Sequence, residues 1–526
     1  MSTPEPHAAV PVGKLPGIPA LARGLATGSP DVSAFLPDRW DGGSVAARAR
    51  EVLARFRPRD PSRVDPALAD LAAGRVAGVF AGQQVGLFGG PLLTLVKALA
   101  AVQLAEEAGV GVAPVFWCAS EDHDLVEVTR VLLPGDGGPV DAGPDAAPLQ
   151  GNRKPVGRLP IEIDVAALLD RAAPGPAPGD PEVRAALLSF HAGRTYREAF
   201  VATVGWMAEA PALRFADAAR EEDKPDFVPL AVRLVRERDD VRRLLAERNA
   251  ALAAAGHPLQ VTNDPDVLPL FALVGGERFV LREAGGRLRL KGAAEERGFT
   301  PEEVVANFES GAWRPSFSAL TRPLAASTLY PVAATILGPA EVAYWAQGRP
   351  LFPWAGIVPP VIVPRAMVAP VTAPARRALR KLGFDVADVL EGEEALLARA
   401  GAGRAGAALE RLRRTRTGTL DAFDALAPDL LAIDGGLARA LEATRRNVAF
   451  ALEKLEEKAA QAAGRSDEAV ETHVRRAVRE ILPGGRLAER VYTAVPWLLR
   501  HGREGFVGPL KQGLRWNATG LQVIEL

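Results

Sequence analysis

Two short stretches of this chain gather residue types that can do chemistry. The first is Gly82-Gln83-Gln84, followed by Gly86 and Gly89-Gly90-Pro91. Glycines let a backbone approach a ligand closely. A helix starting just beyond offers free N–H groups and partial positive charge to a phosphate or carboxylate. Thr94 and Lys97, in the first turns of that helix, add a hydroxyl and a cation. The pattern is neither the G-x-x-x-x-G-K-[ST] phosphate loop nor G-x-G-x-x-G, so a plain strand-to-helix turn competes with an anion site. The second stretch is Glu121-Asp122-His123-Asp124. There His123 can serve as acid or base near neutral pH or stabilise a charged oxygen, with Asp122 and Asp124 beside it. A solvated loop with a helix cap at Asp122 or Asp124 is the alternative. No metal site is expected, because adjacent residues on a turn cannot all aim at one ion.

Further along, Arg322 lies in Thr321-Arg322-Pro323-Leu324, and Arg365 follows Pro364. Either guanidinium can grip a carboxylate with two parallel hydrogen bonds. Glu341, Tyr344 and Trp345 are spaced i, i+3, i+4, which puts an acid and two aromatics on one helix face. Such a face suits a sugar or an amine, and it also suits ordinary packing. Asn152-Arg153-Lys154-Pro155-Val156-Gly157 is a basic loop, either a solvated turn or an anion contact. His191, His257, His473 and His501 are isolated in sequence and read as structural or exposed.

The elements that must carry these groups are legible. Val76–Phe80 reads as a strand, 92–107 as a helix, and Val112–Ala119 as a second, nearly all-apolar strand. Together they form a βαβ unit, hence a parallel sheet with a right-handed crossover. Both polar clusters then lie at strand carboxyl ends, on the edge where such sheets bind ligands. Residues 184–256 read as mainly helical, Leu259-Gln260-Val261 as a short strand, and Phe271–Val274 with Arg278–Leu281 as a hairpin turning at Gly275-Gly276.

The whole chain has 526 residues, with 63 basic and 64 acidic side chains and a single cysteine. Balanced charge argues against a globally basic nucleic-acid binder. One cysteine excludes an intrachain disulfide and any cysteine-based metal cluster. Cys118 sits inside the apolar strand and reads as inert packing. The proline-broken N-terminus does not read as a signal peptide, and no apolar run reaches about 18 residues, so a cytoplasmic protein with no membrane span is expected.

Composition divides the chain. Residues 1–133 read as the first part of an α/β core and 134–182 as an inserted connecting segment, punctuated at Leu133–Gly138 and Ala173–Gly179. The second part of the core, 183–373, carries the substrate-site segment. From 374 to 482 there is no Trp or Tyr, Ala, Leu, Glu and Arg dominate, and Leu441, Val448, Leu455 and Ala462 recur every seven residues. That predicts a long helical arm, paired antiparallel or in a dimer, with breaks at Gly401, Gly403 and Gly435-Gly436. The aromatic-rich tail, 483–526, is expected to fold back on the core.

Several of these motifs together resemble the bacillithiol-biosynthesis cysteine-adding enzyme family. The resemblance rests on Val79–Pro91 with Lys97, and on Pro114-Val115-Phe116-Trp117 running into Glu121-Asp122-His123-Asp124. Thr321–Leu324, Gly338-Pro339 with Glu341, Ala343–Gln347, Pro364-Arg365 and Leu487-Ala488-Glu489-Arg490 also match. Departures from the family pattern fall at Gly89, Leu93, Ser318, Ala326, Leu337 and Ala340. The resemblance implies a Rossmann-like parallel-sheet core with inserted connecting segments and an α-helical coiled-coil arm used for homodimerisation. It implies amide formation between cysteine and glucosaminyl malate. ATP is the natural activator of the carboxylate, and magnesium would enter only with the nucleotide. On this reading Gly82, Gly86, Gly89, Gly90, Thr94 and Lys97 hold the nucleotide. Asp122, His123 and Asp124 work at the reacting centre. Gln83, Gln84, Arg322, Glu341, Tyr344, Trp345 and Arg365 bind substrate. Two rivals are a metal-dependent hydrolase of an N-acyl amino sugar, built on Glu121–Asp124, and a non-catalytic dimeric partner.

Overall fold

The computed structural model describes residues 9–38, 40–135, 137–173, 179–262, 264–293, 297–402, 406–465 and 468–526. Part of the proline-rich punctuation at 174–178, Asp136 and the expected break at Gly403 lie outside them. At the centre is a five-stranded, all-parallel sheet. Its strands are β1 (Ala77–Gln83), β2 (Val112–Cys118), β3 (Arg214–Asp217), β4 (Val332–Leu337) and β5 (Val361–Pro364), in the spatial order β5-β4-β1-β2-β3. Helix α1 (Leu93–Ala108) is the crossover between β1 and β2, as the apolar run and glycine punctuation predict. The chain leaves β1 toward one edge and returns to its other side at β4. The carboxyl ends of β1 and β4 therefore splay apart into a crevice, the place where open parallel sheets bind ligands.

Strand β3 lies inside the stretch expected to be helical. It is four residues long and pairs only with β2. An edge strand this short leaves almost no periodicity to read between the helices Tyr196–Ala208 and Lys224–Arg236. The strand expected at Leu259-Gln260-Val261 is instead irregular backbone. There the amides of Gln260 and Val261 donate to the Gln347 side chain. The predicted hairpin is present as Val267–Val274 and Glu277–Ala284, within a five-stranded antiparallel sheet inserted between β3 and β4.

The arm begins after Met367–Val371, a strand that pairs in parallel with Gly520–Glu525 from the tail. Its two longest helices, Gly406–Ile433 and Leu437–Arg465, fold into a hairpin at Asp434-Gly435-Gly436. Ion pairs Arg416–Glu453 (2.9 Å) and Arg445–Asp424 (2.7 Å) tie the two together. Gly401 does not break its helix, which runs from Glu393 to Ala402. Leu441 and Val448 are half-buried on the hairpin seam, but Leu455 is 48 % exposed and Ala462 is also exposed. A straight helix drifts by ~20° per heptad, so a strict seven-residue spacing leaves the seam after two repeats. The tail does fold back: helix Val495–Gly513 buries Trp497, Leu498 and Phe506 in the same core as α1.

Candidate active site

A cavity of about 370 Å³ occupies the crevice between the ends of β1 and β4. Phe80, Trp117, Tyr344 and Trp345 give it aromatic walls, and Gln83, Gln84, Asp122, Glu127, Arg322 and Glu341 bring polar groups to it. Four well-separated segments thus meet at one point. They are the ends of β1 and β2, the start of helix Arg322–Leu329, and the first turns of helix α2 (Pro339–Gly348). The i, i+3, i+4 spacing delivers Glu341, Tyr344 and Trp345 to the same wall, with Trp345 stacked on Phe352 at 5.8 Å. Burial, and after it the Glu341 charge, pushes the Tyr344 phenol well above its usual range, so it stays a neutral donor.

Asp122 is the most heavily bonded group of the site. Its Oδ1 accepts the His123 backbone N–H at 2.8 Å and lies 3.4 Å from the Arg278 guanidinium. Its Oδ2 accepts from Gln84 Nε2 at 2.7 Å, and Arg322 stands 3.9 Å away. Burial would raise this carboxyl. The contact with the His123 side chain, the charges of Arg278 and Arg322 and the Gln84 amide outweigh it and hold the group far below the usual carboxylate range. Asp122 is therefore a permanent anion that orients its neighbours, not a base. Among the described residues Arg322 makes only that one long pairing, and it is 31 % exposed, which leaves its fork available to a ligand carboxylate.

The four residues of the acidic turn have four different fates. Glu121 turns inward and pairs with Lys224, a fully buried amine that also donates to Ala218 O (3.2 Å) and Pro315 O (3.4 Å). Asp122 faces the cavity. The His123 ring lies beside it, with Nδ1 3.4 Å from Asp122 Oδ1 and 3.2 Å from Arg278 Nη1, and is not part of the cavity wall. Asp124 is exposed and accepts the Glu127 N–H at 2.9 Å, capping helix Leu125–Thr129. With its donors dispersed this way, the turn cannot close around one ion. Among the described residues no three His, Cys, Asp or Glu converge as a ligand set.

The glycine turn is a different object. Gly86, Gly89, Gly90 and Thr94 are buried and do not line the cavity. Gly89 sits at φ +82° with its α-carbon face against the helix Tyr196–Ala208, where a Cβ would lie 3.0 Å from Met207 Cε. The start of α1 is closed off by the tail: Leu92 N donates to Tyr492 O at 2.8 Å, and Pro91 bridges to Thr493. A nucleotide phosphate cannot reach these amides, so the residues read as its cradle do not fit that group. Gly82 does reach the cavity, and there a Cβ would press within 3.2 Å of Trp117 O. Lys97 is wholly buried, with Nζ donating to Glu341 Oε2 (2.6 Å), Gly82 O (2.8 Å) and Gln83 Oε1 (3.2 Å). Glu341 Oε2 also accepts Gly338 N at 2.5 Å. Lys97 thus clamps β1 to α2 and fixes the cavity's width.

Arg365, read as a carboxylate grip, lies elsewhere. It is buried against Glu489 at 2.7 Å, and Glu489 also accepts Val368 N at 2.9 Å. This pair fastens the tail to the strand after β5, so the guanidinium has no ligand-facing role. Arg278 is the residue that motif reading missed. It enters from the inserted antiparallel sheet, 156 positions after Asp122. The local signal was no more than an arginine opening the apolar run Phe279-Val280-Leu281 of a hairpin strand. The inserted basic loop also has a task. Val156 N donates to Asp122 O (2.7 Å), Gly157 N to Ser120 O (2.8 Å) and Asn152 Nδ2 to His123 O (2.9 Å), bracing the acidic turn from outside.

A second concavity, about 710 Å³, opens where the arm meets the tail. Arg171, Arg377, Arg476, Arg479 and Arg500 line it, five guanidinium groups against the single carboxyl of Glu480, alongside Tyr492 and Trp497.

Known proteins share this whole organisation. The family model for the bacillithiol biosynthesis BshC N-terminal Rossmann-like domain matches residues 49–366, and that for the BshC C-terminal coiled-coil domain matches 369–526. A protein of Salinibacter ruber named "Putative cysteine ligase BshC" is 29% identical over 100% of both chains. One of the same name from Solibacter usitatus is 29% identical over 86% of this chain and 85% of its own. Another, from Thermus thermophilus, is 31% identical, covering 86% and 90%. The Rossmann-like core and the coiled-coil arm are therefore those of a known lineage, and this chain belongs to the bacillithiol biosynthesis BshC family.

Proposed function

We propose that this protein is a ligase that joins cysteine to glucosaminyl malate through an amide bond, in bacillithiol biosynthesis. The observation that carries the reading is the cavity at the β1/β4 crevice. It combines anchored anions, Asp122 and Glu341, with the available guanidinium of Arg322 and the aromatic faces of Trp117, Tyr344 and Trp345. Carboxylates suit the amines of cysteine and glucosamine, Arg322 suits a malyl or cysteinyl carboxylate, and aromatic faces suit a sugar ring. Among the described residues, Trp117 Nε1 and Gln84 Oε1 are buried there without a partner, and substrate hydroxyls would satisfy both. The dispersed fates of Glu121–Asp124 weigh against the metal-hydrolase alternative.

Amide formation in water requires an activated carboxylate, and we take ATP to be its source. The buried glycine turn is not the place for it. The arginine-lined concavity at the base of the arm has the charge for a polyphosphate and aromatic faces for a base. We also place the protein in the cytoplasm as a homodimer. No helix of the described residues is long and apolar enough to cross a membrane, and the arm exposes Leu426, Leu431, Ile433, Phe450 and Leu455.

The decisive assay supplies glucosaminyl malate, cysteine and ATP and follows the amide product by mass spectrometry. Product is expected from the native chain and should fall steeply in Arg322→Ala. No product from active, folded protein removes the reading. Nucleotide titration of an Arg476→Ala/Arg500→Ala double variant tests the ATP assignment, with weakened binding expected. Sedimentation of Phe450→Glu tests the dimer, with monomer expected.

A further inference from the structure

The guanidinium of Arg278 is held from every side. It is 5 % exposed and stacks on Phe271, with Cζ 3.6 Å from the ring centre. Its Nε donates to Ser316 Oγ (2.9 Å) and its Nη2 to Phe317 O (3.0 Å). Nη1, with both its hydrogens unspent on these bonds, faces Asp122 Oδ1 at 3.4 Å and His123 Nδ1 at 3.2 Å. A guanidinium is always protonated and offers only hydrogens. An imidazole nitrogen beside it must meet it with a lone pair, since N–H facing N–H would clash.

Asp122 exerts the opposite preference, because a carboxylate 3.4 Å from Nδ1 would favour a proton there. That carboxylate, however, already accepts from the His123 backbone at 2.8 Å and from Gln84 at 2.7 Å. Nearby charged groups also include Asp124, turned away to cap its helix, Glu127, whose carboxyl is pushed up by burial and by the charges of Asp122 and Asp124, and Arg322, which leans on the far oxygen of Asp122. Arg278 is the nearer partner of Nδ1, and its stacked, triply bonded fork cannot swing aside.

We propose that Arg278 is a positioning residue that fixes His123 as the Nε2–H tautomer, making the histidine a hydrogen-bond donor and not a base. Among the described residues Nε2 has no protein partner; the ring is 39 % exposed and stands beside Asp122, which lines the cavity, so the Nε2 proton is open to a ligand oxygen that extends past the cavity wall. In an acyl condensation the attacked carbonyl oxygen gains negative charge, and a fixed donor stabilises it. The catalytic consequence rests on the ligase reading; the tautomer does not.

The test is ¹⁵N spectroscopy of the full chain labelled at its six histidines, with His123 assigned by its loss in His123→Gln. His191 is a built-in control of the opposite tautomer. Its Nε2 accepts Phe88 N–H at 3.1 Å and its Nδ1 donates to Leu187 O at 2.7 Å. The native spectrum should show His123 protonated at Nε2 and His191 protonated at Nδ1. In Arg278→Met, and in Arg278→Gln should the first not fold, the His123 signals should move toward the Nδ1–H form paired with Asp122. A native His123 protonated at Nδ1, or a tautomer unchanged in the variant that folds, overturns the proposal. In turnover assays Arg278→Met and His123→Gln should each lower kcat tenfold or more, and the double variant should be no slower than the worse single one. Losses that multiply would mean that Arg278 acts apart from His123. A native chain without ligase activity would defeat the functional reading while leaving the spectrum to decide the tautomer.

Discussion

The turn after β1 and the turn after β2 occupy equivalent places on one sheet edge, yet they have opposite fates. Gly86–Gly90 is driven into the interior by its apolar neighbours Val85, Leu87 and Phe88; its N–H groups are consumed by His191 and by the turn itself, and the tail closes the residues that follow. Glu121–Asp124 cannot be buried as a block, so each residue finds a separate partner, and one of them is left facing a cavity. Glycines permit a backbone to approach a ligand, and they equally permit it to approach a helix. A run of ionisable groups has fewer bland outcomes, because each buried charge demands a partner.

Four experiments would break or sharpen that contrast. The largest effect is expected at Asp122. Asp122→Asn removes the anion that orients Gln84, His123 and Arg322, and kcat should fall by ~10²-fold or more while the protein still folds. A variant with native turnover would place the chemistry elsewhere. Next comes acid. Burial, only partly offset by the bond to Leu187, lowers the His191 pKa from 6.5 to about 4. The unfolded chain therefore takes up a proton first as pH falls, so this stability is complete above about 6.5 and lost on approach to about 4. The loss is about 3 kcal/mol at ~1.4 kcal/mol per pKa unit, and His191→Gln should flatten it in urea melts at a series of pH values.

A smaller effect is expected for Gly89→Ala, which must adopt positive φ and meet Met207. It should cost about 1–3 kcal/mol of stability, with kcat of the folded fraction unchanged. Lost nucleotide binding with native stability would restore the glycine turn as a ligand cradle. The smallest belongs to Asp124→Ala, where removal of a helix cap should cost about 1 kcal/mol and leave turnover intact.

Much of the scaffold was readable. The apolar run Val112–Cys118 and the glycine-bounded crossover announced a parallel sheet, and the loss of Trp and Tyr after Pro374 announced the arm. Glu341, Tyr344 and Trp345 were found because helical spacing is a local property. Burial of the Gly86–Thr94 segment was not readable, since what covers it comes from Met207, His191 and Tyr492, each contributed by a distant element. Arg365 looked like a ligand grip for the same reason: its partner Glu489 lies in the tail. Arg278 was invisible because its significance depends on where an inserted sheet docks, and no local pattern encodes that.

The position of the lone cysteine has a consequence for survival under stress. Cys118 is fully enclosed in β2, and burial pushes its thiol far above the ordinary range. Peroxide, nitrosating agents and disulfides act on exposed thiolates, and this chain presents none to them. Conditions that drain a cell's small thiols would leave this protein chemically unmarked at sulfur, apart from its three methionines. On the ligase reading, the sulfur at risk under such conditions is the substrate's and not the enzyme's own cysteine.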